Sequence, residues 1–153
     1  MIKKWYFHII FDQFLTYTTS CTFAILSDEE ILQELEKFLM RAIAEFKFPQ
    51  VSLDFDYDEE KKEYYFIDEN FSFKEVNVLI AYMKKYFHEF LYSKEENFQQ
   101  LYYDSDTRTF SQANMVKQLL DAYKTAADAA EEINRNYLKM DREYKSRIGS
   151  VNE

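Results

Sequence analysis

Asp54, Asp56 and Asp58 recur at every second position of VSLDFDYDEEKKEYYFID (residues 51–68), and Glu59, Glu60 and Glu63 follow them. Carboxylates at this density ligate hard cations, act as general acid and base, or meet a basic partner. The metal reading begins with a match, because DxDxD opens a calcium loop that takes oxygen ligands at alternate positions. It fails at the sixth position, where Glu59 replaces the turn glycine, and at the twelfth, where Tyr65 replaces a bidentate glutamate. Acid–base catalysis needs two carboxylates whose environments separate their pKa values. Side chains two apart on one strand face share an environment and titrate together, so the stretch offers no such pair.

Nucleophilic chemistry has less material. The chain has two histidines, His8 and His88, and one cysteine, Cys21. No third group orients a Cys–His pair. With Gly149 the only glycine, a glycine-rich phosphate loop is impossible, and there is no HExxH zinc motif. No catalytic residue, metal ligand or cofactor is therefore expected.

The charge distribution points toward binding. The net charge is -9, and residues 51–110 hold fourteen acidic against seven basic side chains, while residues 111–153 are balanced at seven each. Direct nucleic-acid binding needs a clustered Lys/Arg surface that releases counterions, and none is visible. The 13 Tyr and 15 Phe are more aromatic surface than one core easily hides, which leaves rings for a partner or a second copy. Cys21 cannot form an internal disulfide, and no run approaches the roughly 18 apolar residues of a membrane span. A cytoplasmic protein with no membrane partner is the expectation.

The elements that must position these residues follow from periodicity. Trp5, Phe7, Ile9 and Phe11 alternate with Lys4, Tyr6 and His8, which reads as a strand over 3–11, and residues 16–26 read as a second. Ser27 and Glu30 form a capping box before a helix with the stripe Ile31, Leu35, Phe38, Leu39, Ala42 and Phe46. The acidic stretch reads as a hairpin turning at EEKK, with Val51, Leu53, Phe55 and Tyr57 on one face and the aspartates on the other. Ser72 and Glu75 open a second helix whose Val76, Leu79, Ile80, Met83, Phe87, Phe90 and Leu91 face inward. Residues 97–110 read as a short strand or ordered loop. Residues 112 to about 147 read as one long helix stopped by Gly149, with Val116, Leu119, Tyr123, Ala126, Ala130, Ile133, Tyr137, Met140 and Tyr144 three and four apart. At about 1.5 Å per residue it spans roughly 50 Å and needs a partner: a second copy, another protein or an earlier helix.

The expected fold class is α+β: two ββα-like units with antiparallel strands and helices packed on the sheet, plus a long C-terminal helix with heptad-like spacing. Residues 1–110 form the core domain, and 111–153 the helix that packs on it, on a second subunit, or on both. The expected binding strip is Asp54, Asp56, Asp58, Glu59, Glu60 and Glu63, with Tyr65 as an aromatic anchor, and the competing reading is the solvated side of a hairpin. Charge and size together point to a small acidic, non-enzymatic inhibitor of a basic nucleic-acid-binding protein or nuclease, of the anti-CRISPR, anti-restriction or nuclease-immunity type, working by nucleic-acid mimicry. The alternative is an assembly module, a homodimer joined through Leu119, Tyr123, Ala126, Ala130, Ile133, Tyr137, Met140 and Tyr144.

Overall fold

A computed structural model of the chain describes residues 4–18, 26–101 and 109–151, with side-chain surroundings for 4–18, 26–93 and 114–140. The architecture is α+β and mostly helical. In chain order come β1 (Trp5–Tyr6), α1 (Phe7–Tyr17), α2 (Asp28–Glu45), β2 (Phe55–Asp58), β3 (Glu63–Phe66), α3 (Phe73–Leu101) and α4 (Thr109–Val151). The sheet is antiparallel with strand order β1-β3-β2, so β3 is central.

The strand expected over 3–11 is confined to Trp5–Tyr6, and the chain turns helical at Phe7. Two periods compete here, because Phe7 and Phe11 fit alternation and helical spacing equally. The decision falls to Ile10 and Phe14, which complete the i, i+3, i+4, i+7 stripe of an amphipathic helix and are fully buried. Alternation would have set both on the wet face. The N-cap, Tyr6, supplies no side-chain hydrogen bond, which leaves the first-turn N–H groups of α1 without a local acceptor. Glu63 of β3 replaces it: the His8 N–H donates to Glu63 Oε1 at 2.6 Å. A helix capped from 55 residues away has no local start signal. The second expected strand, over 16–26, meets the end of α1 at Thr16 and Tyr17, and its residues 19–25 lie outside the described residues, as does Cys21. Of the first ββα-like unit, the described residues before α2 form a short strand and a helix.

The capping box of α2 is formed, with the Ser27 N–H donating to Glu30 Oε2 and the Glu30 N–H to Ser27 Oγ. Its stripe buries Leu35, Phe38, Leu39, Ala42 and Phe46, with Ile31 partly covered. The α3 box is half formed, since Ser72 donates both its N–H and its hydroxyl to Glu75 Oε2. Buried Tyr82, Val78, Ala81 and Tyr86 join the expected stripe of α3, so this helix is buried on several sides and forms the centre of the molecule. Residues 97–101, expected as strand or loop, continue α3, residues 102–108 lie outside the described residues, and α4 begins at Thr109. Helix α4 also runs past Gly149 to Val151, so that glycine does not end it.

Helix α4 packs on α3, and the contact departs from a heptad seam. Ala130, Asn134 and Tyr137 are buried, at i, i+4 and i+7, whereas Ile133 and Met140 face solvent. A polar residue heads the seam because it satisfies backbone. Asn134 Oδ1 accepts from the Lys47 N–H and the Tyr82 hydroxyl, both at 2.9 Å, and Nδ2 donates to the Lys47 carbonyl. Tyr137 works beside it, accepting from the Gln50 N–H and donating to buried Glu75. The link between α2 and β2 is thus tied to α4. Burial pushes the Tyr82 hydroxyl up to about 12, so it is a donor throughout the physiological range.

Candidate binding face

The hairpin turns at residues 59–62, as the EEKK reading has it, with Lys62 in the left-handed region at φ 55. That four-residue turn fixes the register: Phe55 pairs with Phe66, Asp56 with Tyr65, Tyr57 with Tyr64 and Asp58 with Glu63. The ladder continues one pair outward, where the Ile67 N–H donates to the Asp54 carbonyl. Because side chains alternate across a strand, Phe55, Tyr57, Tyr64 and Phe66 share the inner face. Phe7 seats its ring against three of these, with centroids 5.3 to 5.6 Å away at Phe66, Phe55 and Tyr64. Asp54, Asp56 and Asp58 share the outer face with Glu63 and Tyr65.

The outer carboxylates divide into two groups. Asp58 belongs to the fold: it accepts from the Tyr6 hydroxyl at 2.8 Å and from the Glu60 and Lys61 N–H groups. Donation by Tyr6, with the backbone of Lys61 next in weight, holds Asp58 below the usual carboxylate range, and the same bond pushes Tyr6 upward. Glu63 belongs to it too, capping α1 and lying 2.6 and 2.7 Å from His8 Nδ1 through its two oxygens. Asp68 does the same work at the hairpin base, where N–H donation from Asn70 and then Ser52 holds it low. The second group is Asp54, Asp56, Glu59 and Glu60, all exposed. Asp56 accepts only from the adjacent Tyr57 N–H, and the other three side chains have no hydrogen-bond or ion-pair partner among the described residues.

These shifts set a pH dependence. Carboxylates held below their ordinary value of 3.8 stabilise the fold fully above it and lose that contribution as pH falls through the lowered values. Acid titration from about pH 6 to about pH 2, followed by amide NMR, is expected to loosen the hairpin below the ordinary carboxylate value. Asp58→Asn is expected to lower the melting temperature near pH 7 and to flatten this acid response.

Tyr65, the expected anchor, is half-buried, paired across the sheet with Tyr6 and covered by the Lys4 ammonium 4.6 Å from its ring centroid. Lys61 lies likewise over Tyr6. The more exposed rings are on the opposite face, Tyr57 at 42% and Tyr64 at 39%, with centroids 5.0 Å apart. Alternation in the sequence puts Tyr57 on the face of Phe55, where it lies, and does not single out Tyr64. The turn length was the available signal, since a four-residue EEKK loop sets Tyr57 opposite Tyr64 beyond the reach of Phe55 and Phe66.

Of the residues expected on a self-association face, Ala130 and Tyr137 lie inside this chain's own core. Leu119, Tyr123 and Ala126 are half-covered, Ile133 and Met140 are exposed, and the side chain of Tyr144 lies outside the described residues. Among the described residues no group of three or more His, Cys, Asp or Glu side chains is arranged to hold a metal ion, and no helix is long and apolar enough to cross a membrane. No family model, curated protein or solved structure matches the chain.

Proposed function

We propose that this chain is a non-enzymatic binding protein whose hairpin inhibits a basic, nucleic-acid-processing protein by occupying its nucleic-acid groove. The observation that carries the reading is the division among the carboxylates. Fold formation uses Asp58, Glu63 and Asp68, while Asp54, Asp56, Glu59 and Glu60 are exposed on one hairpin and, among the described residues, bond to nothing beyond the Tyr57 N–H that Asp56 accepts. Asp54 and Asp56, two apart along one face, repeat at about 6.8 Å, a spacing comparable to a phosphate backbone, and Glu59 and Glu60 extend the negative charge onto the turn. Such a row speeds encounter with a basic groove and disfavours acidic competitors. The exposed pair Tyr57 and Tyr64 lies on the opposite face of the same hairpin, so a groove that encloses the hairpin meets rings as well as charge.

A variant carrying Asp54→Asn, Asp56→Asn, Glu59→Gln and Glu60→Gln separates binding from folding. Its stability is expected to stay within about 0.5 kcal/mol of the parent, because the exchanged groups are exposed. Its affinity for the partner is expected to fall about a hundredfold, four rim charges at under 1 kcal/mol each. The test is retention of lysate proteins on the immobilised chain at low and physiological salt, identified by mass spectrometry. One basic nucleic-acid enzyme held by the parent and lost by the variant supports the reading; equal retention by both removes it.

The alternative, assembly through α4, draws on Ile133 and Met140, which are exposed on the longest helix. Ile133→Lys with Met140→Lys would then dissolve an oligomer seen by sedimentation. Lys at Ala130 or Tyr137 would instead disrupt the core.

A further inference from the structure

Three helices leave a cleft of about 630 Å³ on the molecule. Each helix contributes residues at its own helical spacing: Gln13, Thr16 and Tyr17 from α1, a stripe from Phe73 to His88 on α3, and Ala126, Ala129 and Ile133 from α4. The volume lies within the range of small-molecule sites, and the walls have the usual composition of one, mostly apolar with a few polar groups converging. Tyr17, 71% exposed, and Phe73, 54% exposed, stand among the lining residues, while Ala126 and Ala129 provide the low side that leaves the space open.

The charge of this cleft is opposite to that of the chain. In a protein of net charge -9, no carboxylate lines it among the described residues, where Lys84 and His88 sit one helical turn apart on α3. The adjacent Lys85 is neutralised by Glu45 at 2.7 Å, and Lys37, Lys47 and Arg41 also have carboxylate partners. Lys84 has none among the described residues and lies instead 4.9 Å over the ring of Tyr17. Burial, and then Lys84, hold the His88 ring below its usual value, so near pH 7 it offers a neutral N–H rather than a second charge. The Asn77 and Gln13 amides and the Thr16 hydroxyl are the neutral polar groups of the lining.

We propose that this cleft binds a small amphipathic monoanion, a carboxylate whose head group pairs with Lys84 and whose aromatic or aliphatic body lies against Tyr17, Phe73 and the alanines of α4. One ammonium matches one negative charge. Lys84 is half-buried and makes no ion pair among the described residues, and a carboxylate would form a charge-assisted hydrogen bond there, stronger than a neutral one. The site is independent of the hairpin and stands whether or not that face binds a basic protein.

Three probes with one ring system and three charges provide the test: 1-naphthoate, 1-naphthalenemethanol and 1-naphthylmethylamine, titrated into the full chain by calorimetry and amide NMR. The expected order is naphthoate at least about tenfold tighter than the alcohol, with the amine weakest, and shifts at Asn77, Ala81 and Ala129. Lys84→Met keeps the apolar stem and is expected to reduce naphthoate to the affinity of the alcohol. Ala129→Trp, at an exposed position, fills the cleft and is expected to remove both with an unchanged circular dichroism spectrum. The proposal is overturned if naphthoate and the alcohol bind alike, if no probe binds below roughly 10 mM, if Lys84→Met changes nothing, or if the shifts map instead to Arg41 on α2.

Discussion

Phe14→Ala is expected to lower folding stability by about 4 kcal/mol, within the range for truncating a buried aromatic side chain. The ring is fully buried where α1, α2 and α3 meet, with centroids 6.3 Å from Phe38 and 5.8 Å from Phe87. Those neighbours are themselves large rings on separate helices, so the hole cannot close by a small shift of one chain segment. Against a typical total of 5–15 kcal/mol, such a loss takes much of the margin. The companion pair tests the helix directly: Ile10→Ala is expected to cost about 3 kcal/mol and Ile9→Ala about 1, because Ile10 is fully buried and Ile9 only partly so. Urea denaturation with unchanged m-values reads both numbers. A continuous strand over 3–11 would reverse the order.

Asn134→Leu is expected to cost about 3 kcal/mol although it replaces an amide by an apolar side chain of similar size. Three polar groups lose their partner at once: the Lys47 N–H, the Lys47 carbonyl and the Tyr82 hydroxyl. The cost is the desolvation of groups left unpaired, not the small net worth of three hydrogen bonds. Removing one of them as well should therefore recover stability. Tyr82→Phe alone is expected to cost about 1 kcal/mol, and adding it to Asn134→Leu is expected to make the double variant no worse than Asn134→Leu alone. Additive losses in a denaturation cycle would mean that Tyr82 contributes by packing and not through Asn134.

What could be read from the sequence depended on whether an element's determinants were local. The α2 capping box and its stripe were legible, because Ser27, Glu30 and the residues up to Phe46 lie within six turns. So was the hairpin with its turn at 59–62, whose length carries the register that alternation alone leaves open. Helix α1 was not legible, because Phe7 and Phe11 fit two periods and the cap comes from Glu63. The seam of α4 misled for a related reason. Spacing favours Ile133 and Met140 as inward residues, yet Asn134 is inside because Lys47 and Tyr82 present backbone and hydroxyl groups that only an amide satisfies. Within the acidic strip, spacing could not separate Asp58 from Asp54 and Asp56, since the difference lies in Tyr6, 52 residues earlier.

The same division makes Asp54, Asp56, Glu59 and Glu60 the informative positions for function. Asp58 and Glu63 are poor probes of binding, because their loss also weakens the turn and the start of α1. Tyr57→Ala, on the opposite face of the hairpin, is a useful complement, expected to slow association little and to speed dissociation from a groove that encloses both faces.

Competition with duplex DNA for one purified basic partner shows whether the hairpin occupies the nucleic-acid groove. A fluorescently labelled duplex is bound to the partner, and this protein is added at several salt concentrations while anisotropy is followed. Groove occupation gives one-for-one displacement that weakens as salt rises, with the variant neutralised at Asp54, Asp56, Glu59 and Glu60 about a hundredfold less effective. A partner that holds duplex and this protein together, and binds the neutralised variant as tightly as the parent, would contradict it.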